Sequence, residues 1–139
     1  MKAFITGVSG FVGPYLVNHL VKSGFEVFGI DRSGQKKLAV CIVDSCDITD
    51  YDAVFAVVNR VKPDFIFHLA GQSSVALSWK EPELTRAINV GGTKNLLEAV
   101  AAARINPKIL IVSSAEVYGI AKKFPTSESE PLKPISPYG

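Results

Sequence analysis

Gly7, Gly10 and Gly13 recur at every third position of Thr6-Gly7-Val8-Ser9-Gly10-Phe11-Val12-Gly13. The chemistry open to such a stretch is anion binding by the backbone. It follows the apolar run Ala3-Phe4-Ile5 and opens an apolar-periodic segment, so it reads as strand, tight turn and helix. Gly7 lets the chain turn sharply out of the strand. Gly10 leaves room for a pyrophosphate to approach the main chain, and Gly13 lets the helix lie close against the strand. The first N–H groups of that helix then face the anion, and the macrodipole favours it. A glycine-rich turn without a ligand is the plain alternative. Against it stands Asp31, 18 residues beyond Gly13, close to the spacing of about 20 at which an acid meets the adenosine ribose of a dinucleotide. A hydrogen bond from ribose to that carboxylate is worth about 1.5–3 kcal/mol. The same charge repels the extra phosphate of NADP, by about 4 kcal/mol per charge pair at about 4 Å and an effective dielectric of about 20. Arg32 pulls the other way, because a guanidinium pairs well with phosphate. The balance favours NAD, with NADP as the other candidate.

These residues need a scaffold that delivers them to one edge. Lys2 to Thr6 reads as a first strand, and Phe11 to Lys22 as a helix with Val12, Leu16, Leu20 and Val21 on its apolar stripe. Pro14 falls in its first turn, where the missing N–H costs nothing, and Ser23-Gly24 ends it. Glu26 to Ile30 is a second strand that brings Asp31 to its end. A polar loop, Ser33 to Leu38, leads to a third strand at Ala39 to Val43. Thr49 or Asp50 caps a helix to Val61, with Ala53, Val54, Val57, Val58 and Val61 inward. Phe65 to Leu69, apolar but for His68, predicts a strand covered on both faces. The segment Ala70 to Ser74 then leaves its C-terminal end, where ligands sit in open parallel sheets. Pro82 to Arg104 predicts one long helix, in which Gly91-Gly92 costs about 1 kcal/mol per residue unless a neighbour needs the room. Lys108 to Val112 is a fifth strand. The alternation predicts a doubly wound parallel α/β sheet in the order 3-2-1-4-5.

Bulk properties fit that scaffold. The 139 residues make one domain with a real core, 47% hydrophobic and 20% charged. A net charge of +2 gives no reason to expect nucleic acid or membrane as partner. No apolar run reaches the roughly eighteen residues of a membrane span. Cys41 and Cys46 lack the spacing and companions of a metal site, so no metal is expected, and they read as reduced thiols in a cytoplasmic protein. His19 reads as solvated surface.

Several separated motifs agree with one another. Besides the glycine stretch they are Asp47-Ile48, His68-Leu69-Ala70-Gly71, Asn89-Val90-Gly91-Gly92-Thr93, Ser113-Ser114-Ala115-Glu116-Val117-Tyr118-Gly119 and Ser136-Pro137-Tyr138-Gly139. With them the whole chain resembles the extended short-chain dehydrogenase/reductases, and within these the NAD(P)-dependent nucleotide-sugar epimerases, dehydratases and reductases. The wording of Gln72-Ser73-Ser74-Val75 and Ser78-Trp79 is similar to the GDP-mannose 4,6-dehydratase and GDP-4-keto-6-deoxymannose reductase branch. A GDP-hexose is therefore the favoured substrate.

The resemblance implies roles for individual residues. Gly7, Gly10, Phe11, Val12 and Gly13 would hold the pyrophosphate, Asp31 and Arg32 the adenosine ribose, and Asp47 and Ile48 the adenine. Leu69, Ala70 and Gly71 would run beneath the nicotinamide-side ribose with Ser113 nearby, while Ser73 and Ser74 would point towards the sugar. Tyr138 matches the catalytic tyrosine that acts on the C4 hydroxyl as hydride passes to nicotinamide, and Ser114 the hydroxyl that bonds the same oxygen. A free phenol, with a pKa of about 10, is a poor base at neutral pH. The family lowers it with the cofactor's charge and a lysine four positions on. Glu116 matches the base that removes the C5 proton in dehydratases. Simple 4-epimerases usually carry a neutral residue there, and several reductases of this branch also keep a Glu, so Glu116 argues against an epimerase more than it proves a dehydratase. Ala115 departs from dehydratases that place an acidic general acid at that position. The family's lysine would fall beyond Gly139. Residues 1–139 are therefore expected to be a dinucleotide-binding domain incomplete at its C-terminus, lacking the last strands and the substrate domain. Alone, that domain is expected to bind dinucleotide weakly, to turn over no substrate and to self-associate through unfinished apolar surface. A non-catalytic dinucleotide-binding or interaction module is the alternative of another class.

Overall fold

In the computed structural model, which describes residues 1–33 and 40–139, the first strand lies at the centre. This strand, β1 (Lys2–Thr6), has Ala3, Phe4 and Ile5 wholly buried, because it is covered on both faces. The elements that follow are α1 (Gly13–Lys22), β2 (Glu26–Asp31), β3 (Ile42–Ser45), α2 (Tyr51–Val61), β4 (Phe65–His68), α3 (Val75–Lys80), α4 (Pro82–Arg86), α5 (Gly92–Ala102) and β5 (Lys108–Ile111). The strands form one parallel sheet in the order β3-β2-β1-β4-β5. The predicted order holds. Part of the predicted loop and Ala39, the first residue of the predicted third strand, lie outside the described residues.

The register sorts the strand residues onto two faces. Phe4 stands beside Phe28 and Ile66, and these, with Ile30, pack under Val54, Val58, Leu96 and Ala99 of α2 and α5. Ala3 stands beside Val27 and Phe65, and Ala3, Ile5 and Val27 pack under Val17 and Leu20 of α1. Asp50 caps α2, its carboxylate accepting from the Ala53 N–H at 3.1 Å. Asn95 of α5 donates to the carbonyls of Ile48 and Thr49, tying that helix to the entry of α2.

Four details differ from the sequence reading. The third strand, predicted at Ala39 to Val43, is Ile42–Ser45, with Val40 and Cys41 still in the turn before it. Helix α1 starts at Gly13 rather than Phe11, and Val17, not Val12, fills its core face. The long helix predicted from Pro82 to Arg104 runs as continuous helical backbone from Pro82 to Ala102, but with a widened turn of π type at Ala87–Gly91 between α4 and α5. Such turns re-aim side chains and recur at functional sites. Helix α3 follows β4 where only a loop end was foreseen, and the Ser74 hydroxyl caps it by accepting from the Leu77 N–H.

Candidate functional site

The C-terminal ends of the strands carry two adjoining cavities. One, of about 450 Å³, is lined by Gly7, Asp31, Arg32, Asp47 and Ile48, with Leu77, Leu84 and Ile88 opposite. The other, of about 320 Å³, is lined by Leu69, Ser73, Ser113, Ser114, Val117 and Tyr138. Ala70, Gly71 and Gln72 belong to both, so the two form one trough across the ends of β1 and β4. This is where the order of strands reverses, the position at which open α/β sheets take ligands.

The glycine turn is built for close approach. Gly7 has φ of +69°, and a Cβ there would stand 2.9 Å from the backbone of Ala70. Its N–H donates to the Ile30 carbonyl at 2.9 Å, and the Gly10 N–H donates to the Gly7 carbonyl at 3.0 Å. At Gly13 a Cβ would fall 1.9 Å from the Val8 carbonyl oxygen, which sets α1 hard against the turn.

Two carboxylates stand at the wide end of the trough. One oxygen of Asp31 accepts from the Ser33 N–H at 3.0 Å and from its hydroxyl at 2.6 Å. Burial pushes the Asp31 pKa up, but hydrogen bonds from Ser33 and Ser9 outweigh it and hold the group below the usual carboxylate range. Asp47 accepts from the Thr49 N–H at 2.9 Å and hydroxyl at 2.8 Å, forming a turn at the entry to α2. Those bonds, aided by the nearby Arg32 charge, also lower its pKa. Cys46, beside them, is pushed up to about 11, first by burial and then by the acidic residues around it. It is an unreactive thiol.

At the other end Ser114 begins a short 3₁₀ turn, Ala115–Tyr118. Its Oγ accepts from the Glu116 N–H at 3.2 Å, which leaves the hydroxyl proton to be donated elsewhere. The segment after the turn folds back on it. The Lys133 N–H donates to the Val117 carbonyl at 3.0 Å. Gly119, with φ of +65°, permits that approach, since a Cβ there would lie 2.0 Å from the Lys133 carbonyl oxygen. The fold-back brings Tyr138 into the lining of the same cavity as Ser73.

Of the residues singled out from the sequence, Gly7, Asp31, Arg32, Asp47, Ile48, Leu69, Ala70, Gly71, Ser73, Ser113, Ser114 and Tyr138 line the trough. Gly10, Phe11, Val12, Gly13, Ser74 and Glu116 lie outside its lining. Phe11 and Val12 are 87% and 53% exposed on the turn, and Glu116 is half-buried in the 3₁₀ turn. Sequence reasoning assigned no site role to Gln72 or Asn89. The Asn89 side chain clamps the Gln72 backbone, accepting from its N–H at 2.7 Å and donating to its carbonyl at 3.0 Å. Their separation of 17 residues leaves no local signal for that pairing. Among the described residues no cluster of His, Cys, Asp and Glu could hold a metal ion.

A parallel sheet in this order, with a glycine turn after β1 and an acid at the end of β2, defines a Rossmann-type α/β domain. Residues 4–139 match the family model for GDP-mannose 4,6 dehydratase, and the chain belongs to that family. It is 34% identical over 154 residues to the GDP-mannose 4,6-dehydratase of Vibrio cholerae, covering 99% of this chain and 41% of that enzyme. It is 36% identical over 147 residues to the UDP-glucose 4-epimerase of Mycolicibacterium smegmatis, covering 99% of this chain and 47% of that one. Among solved structures it superposes on UDP-glucose 4-epimerase from Thermotoga maritima, crystallised with UDP-glucose, with TM-score 0.91 and 32% identity, covering 100% of this chain and 47% of that one. UDP-glucose 4-epimerase from Brucella ovis, in complex with NAD, gives TM-score 0.91 at 26% identity, with 99% of this chain and 43% of that one covered. The chain thus spans less than half the length of these relatives.

Proposed function

We propose that this chain is the NAD-binding part of an enzyme that modifies a nucleotide-sugar, with a GDP-hexose as substrate. The reaction would be oxidation at C4, loss of water across C5 and C6 and return of the hydride to C6, redox-neutral overall, as in a GDP-mannose 4,6-dehydratase. The observation that carries this reading is the single trough running from Asp31 to Ser114 and Tyr138. Its parts fit a dinucleotide: a glycine turn whose Cβ-free backbone faces Ala70, and a carboxylate kept ionised where a ribose would lie. NAD, when bound, supplies the acceptor for the C4 hydride. This chain's residues would do the rest. Gly7, Gly10 and Gly13, with the Phe11 and Val12 backbone, would take the pyrophosphate. Asp31 and Arg32 would orient the ribose, and Asp47 and Ile48 the adenine. Ser114 would donate its free hydroxyl proton to the sugar C4 oxygen while Tyr138 takes the proton that leaves it. Glu116 would remove the C5 proton, reaching the sugar only if the 3₁₀ turn tips it inward. Ser73 and Ser74 would hold the sugar. A 4-epimerase is the second reading, favoured by Ala115 and by the epimerases that superpose on this fold. The two free cysteines support a cytoplasmic setting.

Calorimetric titration with NADH and NADPH tests the cofactor assignment. NADH is expected to bind, and more tightly than NADPH, with Asp31→Asn losing about tenfold in NADH affinity. NADPH binding about tenfold more tightly than NADH would mean that Arg32 and not Asp31 governs the choice. No binding of either would overturn the reading.

A further inference from the structure

Beside the shared floor of the trough a polar chain joins three elements, and two of its members, His68 and the half-buried Thr93, line the smaller cavity. Thr6 at the end of β1 is wholly buried, and its hydroxyl oxygen accepts from the Ala70 N–H at 3.1 Å. The same oxygen lies 2.6 Å from Nδ1 of His68, at the end of β4 and 3% exposed. Nε2 of His68 lies 2.9 Å from the hydroxyl of Thr93 in α5. That hydroxyl donates to the Asn89 carbonyl at 2.6 Å. The partners are 62 and 25 residues apart in sequence.

The proton directions follow from counting. Thr93 has one hydroxyl proton and gives it to the Asn89 carbonyl, so towards His68 it accepts, and Nε2 must carry hydrogen. At the other end Thr6 already accepts from Ala70. Its own proton finds its acceptor at Nδ1, which must then be bare. Both ends require the same neutral tautomer. An imidazolium would strand the Thr6 proton, and burial further disfavours that charge, lowering the His68 pKa. The chain therefore runs one way, from Ala70 N–H through Thr6, His68 and Thr93 to the widened turn at Ala87–Gly91. Asn89 of that turn grips Gln72 in return, so the segment Ala70–Gln72 is held from both sides.

We infer that His68 is a positioning residue, fixed as the neutral Nε2–H tautomer, and that the Thr6–His68–Thr93 chain sets the height of the Ala70–Gly71 floor on which the cofactor rests. The role in cofactor binding rests on the function proposed above, whereas the tautomer does not. Two measurements separate them. Nitrogen-15 spectra of the histidine ring at neutral pH are expected to show a pyridine-type Nδ1 and a pyrrole-type Nε2 for His68, with no cofactor present. The opposite tautomer, or two pyrrole-type nitrogens, overturns the inference whatever the chain binds.

The second measurement compares Thr6→Val with Thr6→Ser. Valine keeps the shape and the strand preference but leaves the Ala70 N–H without its acceptor, whereas serine keeps the hydroxyl and loses a methyl group. NADH affinity is expected to fall about tenfold in Thr6→Val and to stay within about threefold in Thr6→Ser, while Thr6→Ser melts no higher than Thr6→Val. A merely structural threonine would put affinity and melting in the same order, which would overturn the positioning role. If the unaltered chain binds no NADH, the function proposed above fails while the spectra still decide the tautomer.

Discussion

His68 ties a site residue to stability through protons. Its folded pKa is lowered by burial, and its two ring partners are uncharged hydroxyls. The unfolded value is about 6.5, so the unfolded chain binds the proton first as pH falls. The contribution is therefore fully present above about pH 6.5 and is lost as pH falls towards the lowered folded value. Unfolding free energies from urea titrations between about pH 7.5 and about pH 5 should fall with a slope of at most about 1.4 kcal/mol per pH unit, and His68→Gln should flatten it. Asp31 and Asp47, whose pKa values are lowered from 3.8, give up stability only in a more acid window, as pH falls below that value. A slope that survives in His68→Gln would show that another group titrates there. At this scale the sequence was informative where chemistry is local. The glycine spacing and the acid after β2 could be read directly, because each depends on its own strand–turn unit. The His68 chain and the Asn89 clamp were not legible, since Thr6, His68, Asn89 and Thr93 meet only when three elements pack.

Elements were legible in proportion to their self-sufficiency. The inward face of α2 followed its 3.6-residue period, and Val54, Val58 and Val61 are buried as that period requires. The widened turn between α4 and α5 carried only the pair Gly91-Gly92 as its sign, and the two glycines prove different. A Cβ on Gly91 meets open space, whereas on Gly92 it would stand 2.7 Å from Cγ2 of Ile48, itself buried. Neither has positive φ, so alanine is conformationally admissible at both. Gly91→Ala should stabilise by about 0.5–1 kcal/mol through helix preference alone. Gly92→Ala should cost about 1–3 kcal/mol, as overpacking outweighs that gain. Opposite shifts in the urea midpoint at constant slope would bear this out. Equal stabilisation of both would mean that Ile48 moves aside, and a Gly92→Ala chain that still binds NADH would then show the adenine side of the trough to be tolerant.

Across the whole molecule the two faces of the sheet are unequally covered. Helices α2 and α5 lie on the face that holds Phe4, Phe28 and Ile66, while the opposite face has α1 over Ala3, Ile5 and Val27. Towards β5 that second face is open. Phe67 is half-buried, and Leu110 beside it in register is 54% exposed on the edge strand. An edge strand offers unpaired N–H and C=O groups, and apolar side chains next to them make association between copies favourable. Sedimentation velocity over about a hundredfold range of concentration should therefore show reversible association of this chain. Leu110→Lys should shift it towards monomer, because a lysine in the same place must be desolvated to be covered. Leu110 is not itself a lining residue, although Ile111 and Val112 after it are, so NADH binding should persist in the monomer. A chain that stays monomeric at every concentration would show that Leu110 and Phe67 are tolerated as open surface. Association that Leu110→Lys leaves unchanged would move the contact to the exposed Phe11 and Tyr15 of the glycine turn and α1, whose rings meet at a tilt of 56° with centroids 5.9 Å apart. In that case cofactor and partner would compete for neighbouring backbone, and NADH would dissolve the assembly.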